Sequence, residues 1–191
     1  PPTSPVQRSW ERYRPRFLND RRIDGGVRFW QENEGQLIKA SALYGVPPEI
    51  IVAIIGVETE YGRNTGGFRV LEALATLAFK YPPRAEFFRT ELEQFLLLAR
   101  ENGLDPLAVK GSFAGAIGIP QFMPGSQRRY AVDFDGDQRV DLANSVDDAI
   151  GSVARFLEQH GWQAGQPIAV AAAANGSPDP ALIEAGIRPS L

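Results

Sequence analysis

Apolar residues along this chain recur mostly every three or four positions, and proline and glycine lie between the apolar segments rather than inside them. This period is typical of amphipathic α-helices. The pattern predicts a mainly α protein with helices near residues 6–18, 24–44, 48–60, 69–79, 84–101, 105–110, 118–123 and 145–159. We expect an N-terminal helix and basic segment over 1–24, one core domain over 25–165, and a small Pro-, Gly- and Ala-rich C-terminal segment over 166–191 that is incomplete.

The predicted helix at 48–60 carries the most informative residues. Glu58 follows Ile51, Ile54 and Ile55 at spacings of seven, four and three, so a helix places these side chains on one face. Burial on that face would raise the pKa of the Glu58 carboxyl group and make it a proton donor at neutral pH. Glu60, on a smaller and less apolar face, is the alternative acid. A charge at a fraying helix end explains the same pattern without any function.

Composition and charge narrow the range of functions. The 191 residues are 43% hydrophobic, which suits one globular core, and the net charge of -3 offers no long-range attraction for nucleic acid. The chain has no cysteine, which excludes disulfides and thiolate metal sites. No run approaches the roughly 20 apolar residues of a membrane span. Residues 1–5 resemble the start of a mature or trimmed chain rather than a signal peptide.

An acidic loop, residues 133–147, has the spacing of an EF-hand. Aspartates occupy positions 1, 3, 5 and 9 of such a loop, and position 7 would contribute a backbone carbonyl: Asp133, Asp135, Asp137, Asp141 and Arg139. Four aspartates at alternate positions would repel one another without a cation, so we expect a structural Ca²⁺ rather than a merely acidic solvated turn.

Two residues depart from the EF-hand pattern. Gln138 stands where glycine normally makes the sharp turn, at a cost of about 1 kcal/mol or more if its φ is positive. Asn144 stands at position 12 and cannot give a bidentate carboxylate, so Asp147 is the candidate for closing the loop. Ser145, with Asp148 three residues later, resembles a capping box that begins the next helix.

A second segment, residues 110–126, changes abruptly from small residues to aromatic and amphipathic ones. It fits neither a P-loop nor a dinucleotide-binding fingerprint, and helix–helix packing is the alternative explanation when the segment is taken alone. Taken with the helix at 48–60, the order and intervals of four motifs resemble the B-type (family 3) bacterial lytic transglycosylases. The motifs are Glu58-Thr59-Glu60-Tyr61-Gly62, Ser112-Phe113-Ala114-Gly115-Ala116-Ile117-Gly118, Gln121-Phe122-Met123-Pro124 and Asp133-Phe134-Asp135-Gly136-Asp137.

The resemblance covers roughly residues 25–170 and implies a lysozyme-like α-helical catalytic domain. Members cleave the β-1,4 bond between N-acetylmuramic acid and N-acetylglucosamine in peptidoglycan and leave a 1,6-anhydromuramoyl end. By position, Glu58 corresponds to the single catalytic acid/base, while Ser112 and Gln121 correspond to polar residues near that glutamate or the sugar. Tyr61 and Met123 correspond to positions that line the substrate groove. The family's calcium site also closes with an acidic residue in the following helix, which favours Asp147.

The resemblance further implies a periplasmic enzyme of the bacterial cell envelope, soluble or anchored to the outer membrane through a segment absent here. It implies peptidoglycan strands as the partner, with cell-wall synthesis proteins as further candidates, no organic cofactor, and a monomer. Two other functions stay open. One is a non-catalytic peptidoglycan-binding domain with structural Ca²⁺; the other is a lysozyme-type hydrolase in which water attacks. A calcium sensor is disfavoured because the sequence offers a single acidic loop.

Overall fold

The structure, a computed structural model, describes residues 10–171 and 176. Most of this part is helical, and two short strands join it. In chain order the elements are α1 (Trp10–Tyr13), a 3₁₀ turn (Arg14–Arg16), α2 (Asp20–Glu32), α3 (Glu34–Tyr44), α4 (Pro48–Thr59), β1 (Phe68–Arg69), α5 (Val70–Lys80), a second 3₁₀ turn (Pro82–Arg84), α6 (Ala85–Glu101), β2 (Lys110–Gly111), α7 (Pro124–Tyr130) and α8 (Val146–Gln159).

The mainly α fold is confirmed, and four helices, α4, α5, α6 and α8, lie within about two residues of their predicted bounds. The helix predicted at 24–44 is wrong in part, because it breaks at Asn33 into α2 and α3. The helices predicted at 105–110 and 118–123 are wrong; both segments are turns. Residues 1–9, 172–175 and 177–191, which include the start of the predicted N-terminal segment and most of the predicted C-terminal segment, lie outside the described residues.

Two hydrophobic cores organise the fold. The first is built by α2, α3, α4 and α8, with Leu37, Ile51 and Ile150 fully buried. The second lies between α5 and α6, around Leu74 and Phe95. Each core gathers the apolar stripes that the sequence pattern shows on these helices. The segment that follows β2 passes between the two cores.

That segment contains a tight turn, which we call the connecting turn (residues 117–122). Ile117 and Phe122 pair across it in an antiparallel bridge. Ile117 belongs to the second core, whereas Ile119 and Phe122 belong to the first. The turn requires positive φ at Gly118 (76°), where a Cβ atom would lie 2.3 Å from the Leu142 carbonyl oxygen. A side chain at Gly118 is therefore excluded.

The helix α7, which the sequence did not predict, follows the connecting turn directly. Its first residue is Pro124, and the residue before it, Met123, provides no side-chain cap. A side chain from α6 takes that role: Glu91, which is buried, accepts a hydrogen bond from the Gly125 amide at 2.8 Å. The cap thus comes from a distant part of the sequence, which explains why local signals did not reveal the helix.

The two strands form a two-residue antiparallel ladder, in which Phe68 pairs with Gly111 and Arg69 with Lys110. This ladder joins the chain after α4 to the segment before the connecting turn. Among the described residues no single helix has the length and hydropathy of a membrane span, although α3 and α4 together do, across a bend of 113°.

Candidate active site

The C-terminal end of α4 presents the predicted acid. Glu58 is an exposed residue, so the prediction that it shares the buried face of the helix is wrong. The buried positions run instead through Ile51, Ile55 and Thr59, each four residues apart and each at most 1% exposed. Helical geometry places residue 58 about 100° away from residue 59. Glu58 therefore lies at the edge of the core and faces outward.

Exposure does not leave the Glu58 carboxyl group in bulk water. Protein atoms cover part of it, and this partial burial raises its pKa above the ordinary value of 4.5. In the described part of the chain its carboxylate has no hydrogen-bonding or ion-pairing partner that would counteract the desolvation. The proton is held more tightly than on a free carboxylic acid, which is the property a general acid needs.

Glu60 lies two residues further and has a different environment. It ends α4 in the left-handed conformation, with φ of 52°, and its Oε1 lies 2.7 Å from Nε of Arg21 in α2. The Arg21 guanidinium and the Glu60 carboxylate therefore form an ion pair. Of the two glutamates, Glu58 is the one whose surroundings suit a proton donor.

Tyr61 is placed between α2 and α4. Its hydroxyl donates to the Arg22 carbonyl oxygen at 2.8 Å. Its ring covers three glycines, Gly25, Gly26 and Gly56, where an added Cβ atom would lie within 2.9 Å of the ring or hydroxyl. The three glycines let the aromatic ring lock the end of α4 against α2. The predicted contact of Tyr61 with substrate stays a prediction.

Thr59 is a residue that sequence reasoning missed. Its side chain is 1% exposed, and its Oγ1 donates to the Ile119 carbonyl oxygen at 2.7 Å. The same oxygen accepts a hydrogen bond from the Gly62 amide at 3.0 Å. The available signal was its spacing of four and eight residues from Ile55 and Ile51, which places it on the apolar face.

Ser112, half-buried in the loop after β2, has its oxygen lone pairs engaged. Its Oγ accepts hydrogen bonds from the amides of Ala116 at 3.0 Å and Ala114 at 3.3 Å. A hydroxyl group has one hydrogen and two lone pairs, so what remains is its O–H donor. The Ser112 O–H group is therefore available to donate a hydrogen bond.

Gln121, in the connecting turn, shows the opposite arrangement. Its φ is 54°, and its Nε2 donates to the carbonyl oxygens of Thr65 at 3.0 Å and Gly118 at 2.9 Å. Both amide hydrogens are therefore used, and the side-chain oxygen is left to accept. Met123 follows, half-buried against the second core. The sequence predicted these side chains as substrate contacts, and the structure gives two of them defined hydrogen-bonding roles.

The acidic loop brings together part of the predicted metal set. Asp133 and Asp135 each offer an oxygen that lies within 4.8 Å of an oxygen of Asp148, which is buried at the start of α8. Asp148 was not predicted as a ligand. Asp137 and Asp147 do not join this group within the described residues, so their ligation stays a prediction, as does the carbonyl of Arg139.

The loop's own hydrogen bonds hold it in a compact form. Asp133 accepts from the amides of Gly136 at 2.7 Å and Gln138 at 2.8 Å. Gln138 has φ of 71°, which confirms that a non-glycine residue occupies the sharp turn. Lys39 of α3 donates to the Phe134 carbonyl oxygen at 2.7 Å. The carboxylates of Asp133, Asp135 and Asp148 supply hard oxygen donors that lie close together, and they fit Ca²⁺.

The two ends of the loop differ in electrostatics. Two hydrogen bonds lower the pKa of the Asp135 carboxyl group. The one from the Ser145 hydroxyl has the larger effect, and the one from the Asp137 amide has the next largest. The pKa of Asp147 is raised, mainly by partial burial and next by the negative charge of Asp135. Asp147 Oδ2 accepts a hydrogen bond from Gln36 Nε2 at 2.7 Å. Asp147 thus lies near Asp135. The predicted cap is confirmed, since Ser145 accepts from the Asp148 amide at 3.2 Å.

A cavity of about 820 Å³ separates the acidic loop from α6 and β2. Its lining includes Asp141, Lys110 and Thr65, but not Glu58, Ser112 or Gln121. The predicted acid lies elsewhere, at the outer edge of the first core.

Comparison with known proteins gives consistent matches. A family model described as the transglycosylase SLT domain matches residues 2–189. Membrane-bound lytic murein transglycosylase B of Escherichia coli K12 is 55% identical over 172 residues, which cover 90% of this chain and 47% of that protein. The chain thus spans about half the length of this curated relative.

Two solved structures are similar in both sequence and fold. Soluble lytic transglycosylase SltB1 of Pseudomonas aeruginosa is 57% identical with a TM-score of 0.83, over 87% of this chain and 56% of that chain. Escherichia coli lytic transglycosylase Slt35 in complex with calcium is 55% identical with a TM-score of 0.80, over 83% of this chain and 50% of that chain.

Proposed function

The chain belongs to the transglycosylase SLT domain family, and on that premise we propose that it is a peptidoglycan lytic transglycosylase with Glu58 as its single acid/base. The observation that carries the proposal is the environment of Glu58. Its carboxyl group is partly buried without a charged partner in the described structure, and its pKa is raised. The neighbouring Glu60 is ion-paired with Arg21 and lacks this environment.

One carboxyl group suffices for the reaction we propose. Glu58 donates its proton to the glycosidic oxygen between N-acetylmuramic acid and N-acetylglucosamine, and the C1–O bond breaks. The resulting carboxylate takes the proton of the muramoyl 6-hydroxyl, whose oxygen attacks C1 and closes the 1,6-anhydro ring. Ordinary glycosidases need a second carboxylate as base or nucleophile. Here the substrate's own hydroxyl is the nucleophile, and its N-acetyl oxygen can shield the positive charge at C1.

The polar residues around the connecting turn would orient the sugar through complementary hydrogen bonds. Ser112 can offer its O–H, and Gln121 can offer its side-chain oxygen. A substrate acetamido group carries one acceptor, the C=O, and one donor, the N–H, so it could satisfy both side chains. Met123 and Tyr61 are the proposed apolar contacts.

We also propose a structural Ca²⁺ in the acidic loop. Asp133, Asp135 and Asp148 supply converging oxygens, and Asp137, Asp147 and the Arg139 carbonyl are the proposed additional ligands. An ion that binds only the folded state raises the free energy of unfolding by mass action. Millimolar Ca²⁺, added to protein stripped with a chelator, should therefore raise the melting temperature. Asp133→Asn should remove most of that shift.

The name of the curated relative suggests where the protein acts. A membrane-bound murein transglycosylase works on the cell wall, and we propose that this chain acts in the periplasm on peptidoglycan strands. The same proposal includes a whole protein that is soluble or anchored to the outer membrane, with cell-wall synthesis proteins as further partners.

The test is mass spectrometry of the soluble products formed from purified peptidoglycan. The chain should release anhydromuropeptides, which are one water lighter than hydrolysis products, and Glu58→Gln should release none. Glu49→Gln is the matched control, because it removes an exposed carboxylate from the same helix and should keep activity. Reducing ends in the products would identify a hydrolase instead. Binding to cell walls without products from any variant would identify a non-catalytic domain.

A further inference from the structure

We propose that Thr59 is a positioning residue for this cleavage, because its buried hydroxyl fixes the end of α4 to the connecting turn. The inference rests on the proposed function, since it concerns how Glu58 is held relative to the residues that would orient the sugar. Thr59 is the immediate neighbour of Glu58, and its side chain points inward where that of Glu58 points outward.

The hydroxyl joins two segments that are 60 residues apart in sequence. Oγ1 donates to the Ile119 carbonyl oxygen at 2.7 Å, and the Ile55 carbonyl oxygen, within the same helix, lies at 3.3 Å. Because a hydroxyl has a single hydrogen, the short contact to Ile119 takes it. A lone pair of the same oxygen accepts the Gly62 amide at 3.0 Å.

These bonds link the end of α4, the chain that follows it and the connecting turn. Ile119 is two residues before Gln121, whose Nε2 donates to the Thr65 carbonyl oxygen at 3.0 Å. Gly62, held by Thr59, starts the segment that reaches Thr65. The chain after α4 and the connecting turn are therefore tied together twice, once through Thr59 and once through Gln121. Only the first tie is adjacent to Glu58.

The hydrogen bond between Thr59 and Ile119 is buried. The Thr59 side chain is 1% exposed and Ile119 is 5% exposed, so water cannot readily replace a lost hydroxyl. Removing the hydroxyl leaves the buried Ile119 carbonyl oxygen and the partly buried Gly62 amide without this partner, and the carbonyl must move to find another. The expected movement shifts the end of α4, and with it Glu58, relative to Gln121. A displacement near 1 Å in an active site can cost roughly a hundredfold in rate.

The experiment compares three replacements of Thr59 in the chain as it exists. Thr59→Val keeps the shape and removes the hydroxyl, Thr59→Ala removes the hydroxyl without adding bulk, and Thr59→Ser keeps the hydroxyl and removes the methyl group. We expect kcat for anhydromuropeptide release to fall roughly tenfold to a hundredfold in the first two. In Thr59→Ser kcat should stay within about threefold of the original, and KM should change little in all three.

Ser152→Ala is the control for lost stability alone. Ser152 in α8 is fully buried, and its hydroxyl oxygen accepts the Val132 amide at 2.9 Å; neither residue belongs to α4 or to the connecting turn. Assays run with excess Ca²⁺ and well below each variant's melting temperature should leave the kcat of Ser152→Ala unchanged although its melting temperature falls. Equal kcat values in Thr59→Val, Thr59→Ala and Thr59→Ser would overturn the proposal. Failure of the unmodified chain to form anhydro products would instead refute the proposed function.

Discussion

Replacing Gln138 with glycine should stabilise the acidic loop. Gln138 has φ of 71°, a conformation that costs a non-glycine residue about 1–2 kcal/mol. Its side chain is exposed, and its amide, which glycine retains, donates to Asp133 at 2.8 Å. Relief of the strain is partly offset by the greater freedom of glycine in the unfolded chain, about 0.5–1 kcal/mol. The net gain is about 0.5–1 kcal/mol.

For a chain of this length, that gain corresponds to a rise in melting temperature of about 1–4 °C. The assay is thermal unfolding followed by circular dichroism, with chelator and again with saturating Ca²⁺. The neighbouring Gly136 provides the opposite change in the same loop. Its φ is 85° and an added Cβ atom would meet nothing within 4 Å, so Gly136→Ala tests backbone conformation alone.

Gly136→Ala should lower the free energy of unfolding by about 1 kcal/mol. The reasoning would be refuted if Gln138→Gly were no more stable than the original and Gly136→Ala cost nothing. That pair of results would mean that the left-handed conformation does not limit the stability of this loop.

Three further predictions concern the acid and the supports of the loop. Burial raises the pKa of Glu58, so the folded state favours the protonated form; Glu58→Gln should therefore gain stability relative to the original as the pH rises from about 4 to about 7, and a constant difference in melting temperature would contradict this. Gly151→Ala should cost about 1–3 kcal/mol in chemical denaturation, because its Cβ atom would lie 2.4 Å from the Phe134 ring, whereas Gly35→Ala, with open space in α3, should not destabilise. Lys39→Met should cost about 1 kcal/mol by the same assay, through loss of the hydrogen bond to the Phe134 carbonyl, and no loss would mean that water replaces it.

The sequence predicted the parts of the fold that local periodicity determines. The family resemblance is confirmed by the match over residues 2–189, and α4 ends within a residue of its predicted limit. The predicted direction of the Glu58 side chain was wrong. The preceding isoleucines are compatible with either Glu58 or Thr59 on the buried face of α4, because the two residues lie on neighbouring faces of the helix. The buried face is the one that contains Thr59, because the Thr59 hydroxyl has a hydrogen-bond partner inside the core.

The errors share a physical cause, namely contacts that are distant in sequence. The helix predicted at 118–123 is a turn because Gly118 and Gln121 adopt positive φ against Leu142 and Thr65. The helix α7 depends on a cap from Glu91, 34 residues earlier. The sequence predicted Asp148 as part of a helix cap, and its amide does donate to Ser145. Only the folded loop shows that a carboxylate oxygen of Asp148 also lies within 4.8 Å of one of Asp133.

The connecting turn has a consequence for how the protein unfolds. Ile117 packs in one core while Ile119 packs in the other, and the Ile119 amide donates to the Leu142 carbonyl oxygen of the acidic loop at 2.8 Å. Neither core can open without taking hydrophobic surface from its neighbour. We therefore expect the two cores to unfold as a single cooperative unit, with equal calorimetric and van't Hoff enthalpies.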